Sequence, residues 1–153
     1  MAKKILYGLL IVLVVMQFIR PERNISEVPS ANDIRVHYSV PADVESILKR
    51  ACFDCHSNNT QYPWYTNIQP LGWWLQNHIN EGKGELNFSE FASYKPKKAD
   101  HKLEEVIEMV EEKEMPLKSY TIVHKDAVLT AQEIEAVVNW AKGLRTTIQP
   151  NIQ

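Results

Sequence analysis

Two cysteines and a histidine lie together in this chain of 153 residues, in the stretch Cys52-Phe53-Asp54-Cys55-His56. They are the only cysteines of the sequence. The order Cys-x-x-Cys-His is a signature of covalent haem attachment, in which both thiols add to vinyl groups and the histidine ligates the iron. The motif therefore predicts one covalent haem c, attached through Cys52 and Cys55, with His56 as proximal ligand.

Three other uses of this cysteine spacing have less support. A thioredoxin-like dithiol needs a β-α-β context, and the sequence around the motif contains no convincing strand. A zinc site would need further clustered ligands, but there is no second cysteine pair. A disulfide between Cys52 and Cys55 would close a very small loop and would add little stability.

The sixth ligand of the iron is assigned to Met115, which directly precedes Pro116. Proline disfavours helical backbone in the residue before it, so the chain should leave a helix predicted over 100–114 and aim the thioether into a pocket. Methionine opposite histidine raises a haem potential and suits electron transfer. Two alternatives stay open: Met115 as a core gap-filler, and His78, on a tryptophan-rich helix, as rival distal ligand. Helical periodicity places Met109 off the apolar face, as a weaker rival.

The first twenty residues have the pattern of an export segment. Lys3 and Lys4 precede an apolar stretch over 5–19, in which Gln17 is the one polar residue. A helix of fifteen residues is about 22 Å long, which is shorter than the roughly 30 Å hydrocarbon core of a bilayer. This length favours a cleaved signal peptide over a membrane-spanning helix. The absence of a small-x-small cleavage site favours an uncleaved anchor instead. We expect a signal-anchor at 1–20 that contacts the membrane through residues 5–19 and places the body on the periplasmic side of the bacterial inner membrane. A cleaved, soluble periplasmic form is the alternative.

The rest of the chain divides into a predicted linker over 21–40 and a haem-binding domain over 41–148. The linker contains two prolines and no helical periodicity, so it is expected to be extended. The domain contains apolar residues at helical spacing and neither a convincing strand nor an internal repeat. The predicted fold class is therefore all-α, a small helical c-type cytochrome-like domain behind an N-terminal anchor or signal segment.

Local signals place the ends of the helices. Pro41 suits the start of a helix that runs into Cys52, and Asp100 suits the N-cap of the helix over 100–114. The aromatic-rich helix over 71–81 is expected to be stopped by Gly82 and Gly84. Thr130 and Glu133 form a capping box for the last helix, and Gly143 is its expected C-cap. We also expect some of the four tryptophans (Trp64, Trp73, Trp74 and Trp140) to line the haem pocket.

Charge and motifs exclude several function classes. The basic residues near the N-terminus leave a net acidic body, which argues against a nucleic-acid partner. The sequence lacks a phosphate-binding glycine loop and any hydrolytic motif, so neither a nucleotide nor a hydrolytic activity is expected. The predicted function is single-electron transfer between redox partner proteins, without enzymatic activity. The alternative is a haem sensor or peroxidase-like protein whose sixth ligand is absent or displaceable.

The residues around the motif resemble the bacterial haem-binding domain family. The similar positions extend from Cys52 through Thr60 and include Pro63-Trp64-Tyr65, Pro70, Trp73-Trp74, Glu81-Gly82-Lys83, Leu86 to Glu90, Met115-Pro116, Tyr120 and Trp140. The resemblance covers about residues 40–145 and implies an exported, often membrane-tethered mono-haem domain. By matching motifs it implies Cys52, Cys55 and His56 for haem attachment and Met115 as distal ligand. It supports the cofactor better than any physiological reaction.

Overall fold

A computed structural model describes residues 1–152 as a helical chain. Its α-helices are α1 (Ala2–Met16), α2 (Ile34–His37), α3 (Ala42–Ala51), α4 (Phe53–His56), α5 (Leu71–Glu85), α6 (Pro96–Glu111), α7 (Lys118–Thr121) and α8 (Ala131–Ile148). Short 3₁₀ turns occur at Trp64–Asn67, Phe88–Ser93, Lys125–Ala127 and Gln149–Asn151. Within residues 1–152 there is no β-strand, only an isolated bridge between Ile25 and Asn59. The prediction of an all-α fold is confirmed.

The core forms where α8 packs against α6 and α3. Each helix contributes the apolar face expected from its periodicity, and these faces are buried: Val44, Ile47, Leu48 and Ala51 on α3, Leu103, Ile107 and Val110 on α6, and Val137, Val138 and Ala141 on α8. Since residues at i, i+3, i+4 and i+7 share one side of a helix, the pattern alone determines which side faces the core. This packing supports the cysteine motif, which follows α3 directly.

The helix ends agree with the local signals at some positions and differ at others. The capping box of Thr130 and Glu133 is present at the start of α8. In contrast, α6 begins at Pro96, so Asp100 lies inside the helix and pairs with Arg145. A proline is well suited to a first helical position, which explains the earlier start.

The glycines expected to end helices do not do so. α5 continues through Gly82 and Gly84 to Glu85, and α8 continues past Gly143 to Ile148. In α8 the continuation buries Leu144 and Ile148, and this apolar burial outweighs the roughly 1 kcal/mol cost of a glycine in a helix. Tertiary contact has therefore overridden a local stop signal.

Residues 21–40 differ from the predicted extended linker because they are attached to the domain. Ile34 is fully buried in the core. The side-chain amide of Asn24 is also buried and donates to Ser57 O and Thr60 Oγ1, both at 2.9 Å. The segment lacks periodicity since it is held by scattered single contacts, which a pattern search cannot detect.

The N-terminal helix α1 contains fifteen residues, and its apolar side chains are exposed. Among residues 1–152, no helix combines the length and the apolar character needed to cross a membrane. A spanning anchor over residues 1–20 is thus not supported.

Candidate haem site

The motif begins where α3 ends. Cys52 is both the C-cap of α3 and the N-cap of α4. Its backbone angles, φ −127° and ψ −43°, are not helical, so the chain changes direction at the first cysteine. Phe53 is buried and packs against Phe88 with ring centroids 5.5 Å apart. This aromatic contact holds α4 on the core, while Cys52 and Cys55 are half-buried residues that form no disulfide.

The ring of His56 is oriented by a backbone carbonyl. Nδ1 lies 3.0 Å from Leu86 O, and because a carbonyl only accepts, Nδ1 must carry the proton. Nε2 is then left with a free lone pair, the arrangement found in metal-ligating histidines. Burial lowers the pKa of His56, which favours the neutral imidazole that binds metal.

The two thiols lack the properties of a redox dithiol. Burial, followed by the nearby Cys55, raises the pKa of Cys52 to about 12. Burial and the carboxylate of Asp54 raise the pKa of Cys55 to about 11. Reactive dithiols need lowered thiol pKa values, so the thioredoxin-like alternative is not favoured.

Two adjoining cavities of about 490 and 360 Å³ lie against the motif. They have a common wall of Ala51, Cys52, His56, Glu85, Met115 and Pro116. The larger cavity extends over buried residues of α3, α6 and α8, including Leu48, Val110 and Val137. Their volumes are within the usual range for cofactor sites. We call the two together the haem cleft.

Met115 lies beyond the end of α6 and lines the haem cleft, as expected from the proline that follows it. α6 ends at Glu111, Lys113 has a positive φ of 59°, and the amide of Met115 donates to Met109 O at 3.1 Å. The prediction that the chain leaves the helix before Met115 is confirmed, although the helix ends at Glu111 and not at the predicted residue 114. Met115 and His56 line both cavities of the cleft, and the ligand role of Met115 stays a prediction.

His78 and Met109 also line the haem cleft. His78 faces the smaller cavity, where its Nδ1 donates to Trp74 O at 2.9 Å and leaves Nε2 free. Met109 lines the larger cavity, contrary to its predicted position off the apolar face. Val106 also lines this cavity, and it lies three residues before Met109 on the same side of α6. The helical spacing between these two residues could have predicted the position of Met109.

The tryptophan prediction was wrong for the cleft. All four tryptophans lie in the described part of the chain, and none lines either cavity. Trp140 is buried in the core, where its Nε1 donates to Ser39 O at 3.1 Å. Trp64 and Trp74 are exposed, by 76% and 48%. Aromatic composition alone does not tell a pocket wall from a surface.

Three further residues lie around the cleft to which the sequence assigned no role in the site. Lys102 is buried and lines the larger cavity, where Glu85 and Glu105 neutralise it at 3.0 and 2.6 Å. Tyr120 lines the smaller cavity and donates to Asp54 Oδ2 at 2.7 Å, inside the motif.

The third is Gly82, which brings α5 against α4. A side-chain carbon there would lie 2.8 Å from Cys55 O. The spacing within a motif does not reveal such a contact, since the contact joins residues 27 positions apart.

The comparison with known proteins agrees with this geometry, since the haem-binding domain family model matches residues 11–143. The chain belongs to the haem-binding domain family. No curated protein and no solved structure matches it significantly. The haem-binding domain has a donor set that fits haem: two unpaired thiols, a neutral histidine with a free nitrogen, and an apolar cleft beside them.

Proposed function

We propose that this haem-binding domain is a mono-haem c-type cytochrome that carries single electrons. The proposal assigns haem attachment to Cys52 and Cys55, proximal ligation to His56 and distal ligation to Met115. The observation that carries it is the shared cleft, in which His56, with Nε2 free, and Met115 line the same two cavities. Haem iron supplies one-electron chemistry when it is bound in a site of this kind.

The residues around the cleft have separable roles in this proposal. Leu86 O orients the His56 ring through Nδ1, and the turn at Cys52 presents both thiols along one short helix. Buried apolar side chains of α3, α6 and α8 form the inner wall of the larger cavity. Met115 is held by a backbone hydrogen bond to Met109 O, which limits its displacement. A fixed ligand pair changes little between two oxidation states, which suits electron transfer.

We further propose that residues 1–20 direct export and hold the domain at the periplasmic face of the inner membrane. The support is the basic start at Lys3 and Lys4 and the apolar side chains of α1, which are 48–64% exposed from Ile5 to Val15. Large exposed apolar surfaces mark contacts with a membrane or a protein. Redox proteins of the same membrane system would then be the electron donor and acceptor.

The test is to express the full chain with a c-type haem maturation system and to compare wild type with Met115→Ala, Met109→Ala and His78→Ala. Denaturing electrophoresis followed by a haem stain reports covalent attachment. Near-infrared absorption of the oxidised protein reports methionine ligation. We expect covalent haem in all four proteins and a methionine band that only Met115→Ala loses, with Met109→Ala as matched methionine control.

Other results would change the proposal in defined ways. A band lost only in Met109→Ala would move the distal ligand to Met109. Absence of the band in wild type, with altered spectra in His78→Ala, would assign His78. Carbon monoxide binding to reduced wild type would indicate an open site and favour the sensor or peroxidase-like alternative. A chain without covalent haem, beside a control cytochrome that matures normally, would refute the proposal.

A further inference from the structure

Several large apolar side chains are exposed near the start of α5. Phe18, Trp64, Ile68, Leu71 and Trp74 expose 82%, 76%, 45%, 49% and 48% of their surface. Leu71 and Trp74 lie one turn apart on α5, and the 3₁₀ turn that begins at Trp64 packs against the same helix. We call these five residues the aromatic face. Two exposed tryptophans in one such region are unusual for a surface in contact with water.

The aromatic face is joined firmly to the end of α1. Gln17 and Gln69 are paired by two hydrogen bonds, Gln17 Nε2 to Gln69 O at 3.1 Å and Gln69 N to Gln17 Oε1 at 2.9 Å. Trp73 Nε1 donates to Ile19 O at 2.7 Å. Phe18 lies between Gln17 and Ile19, just after the end of α1. The end of the N-terminal helix is therefore hydrogen-bonded to the domain beside the aromatic face, and it is not connected to the domain by a flexible linker alone.

This junction determines what the aromatic face meets when α1 enters a membrane. Because Gln17 and Ile19 are bonded to Gln69 and Trp73, burying α1 in lipid brings the start of α5 to the lipid surface. The side chains exposed there include tryptophans, which favour the boundary between headgroups and hydrocarbon. Continuity with the apolar helix thus identifies a lipid bilayer as the occupant of the face.

We infer that the aromatic face rests on the headgroup region of the bilayer and holds the haem domain in one orientation. This inference rests on the membrane location proposed above and is independent of how the haem is ligated. The Trp74 ring lies 4.3 Å from the ring of His78, which lines the smaller cavity. The aromatic face and the haem cleft are therefore neighbours on α5. If the face lies on the membrane, the smaller cavity is close to redox partners that are embedded in that membrane.

The test is photo-crosslinking of the full chain in vesicles of phosphatidylethanolamine and phosphatidylglycerol. p-Benzoylphenylalanine replaces Ile68 or Leu71 on the face, Val12 in α1, or Lys142 on the surface of α8, one position at a time. Mass spectrometry then reports lipid adducts after irradiation. We expect adducts at positions 68 and 71 in yields comparable to position 12, and none at position 142, whose lysine is 57% exposed in the domain.

A second variant tests whether the tryptophans themselves hold the face on the lipid. Combining Trp64→Gln with Trp74→Gln should lower the adduct yield at position 71 severalfold and leave position 12 unchanged. Adducts at position 12 alone would overturn the inference while leaving membrane association intact. Adducts at no position would overturn both the inference and the proposed location. The haem stain, measured on the same samples, reports on the haem proposal separately.

Discussion

The contact between Gly82 and Cys55 offers a sensitive test of the site. A side-chain carbon at position 82 would lie 2.8 Å from Cys55 O and 3.1 Å from Cys55 Cβ, below the 3.4 Å of ordinary contact. Gly82→Ala therefore requires α5 and α4 to separate by about 0.6 Å, a case of overpacking that costs about 1–3 kcal/mol. The helix itself gains about 1 kcal/mol when alanine replaces glycine.

Two other glycines separate these opposing effects. Gly143 lies inside α8 and Gly84 near the end of α5, and neither has any neighbouring atom within 4 Å of an added side-chain carbon. Gly143→Ala should stabilise the protein by up to about 1 kcal/mol, and Gly84→Ala by less because helix ends fray. The free energy of unfolding of Gly82→Ala should then lie about 1–3 kcal/mol below that of Gly143→Ala.

The assay is urea unfolding of the haem-loaded proteins, followed by far-ultraviolet circular dichroism. In thermal unfolding the same difference corresponds to about 2–4 °C per kcal/mol for a chain of this size. Haem staining should show reduced attachment in Gly82→Ala, since Cys55 is displaced, and normal attachment in Gly84→Ala. If Gly82→Ala is as stable as Gly143→Ala and attaches haem normally, the close packing of α5 on the motif is refuted.

Two further predictions concern the packing of α6 and α8. A hydrogen bond from Arg145 lowers the pKa of Asp100, so the pair contributes stability above the usual aspartate pKa of about 4 and loses it as pH falls through the lower pKa that Asp100 has in the folded protein. Arg145→Met, which also removes the ion pair with Glu104, should therefore cost about 1 kcal/mol at pH 7 in urea unfolding. This cost should shrink steadily as the pH is lowered from about 5 to about 2, with Lys142→Met as exposed control, and a cost that is constant over that range would contradict the reasoning. Thr130→Ala removes the capping box of α8 and should lower the free energy of unfolding by about 1 kcal/mol. The control Thr146→Ala, inside the same helix, should produce no measurable change. Equal free energies of unfolding for the two variants would show that the cap does not stabilise the protein.

Several features of the protein depend on short-range chemistry, and these could be predicted from the sequence. The spacing of Cys52, Cys55 and His56 predicted haem binding, which membership of the haem-binding domain family supports. Apolar periodicity predicted the buried faces of α3, α6 and α8, because a helix repeats every 3.6 residues whatever its neighbours are. The proline after Met115 predicted that the chain is no longer helical at Met115, because proline restricts the residue before it, although α6 already ends at Glu111 and not at 114.

Other features were decided by contacts between residues far apart in the sequence. The local sequence predicts that a helix stops at Gly82. α5 nevertheless continues to Glu85, and Gly82 packs against Cys55. The orientation of His56 depends on Leu86 O, a backbone atom that no residue type encodes. Residues 21–40 lack any periodic signal, yet Ile34 fills the core and Asn24 satisfies buried polar groups near the motif. Local pattern therefore determined most of the helices and the cysteine–histidine motif, whereas the haem cleft and the aromatic face exist only where tertiary packing brings distant segments together.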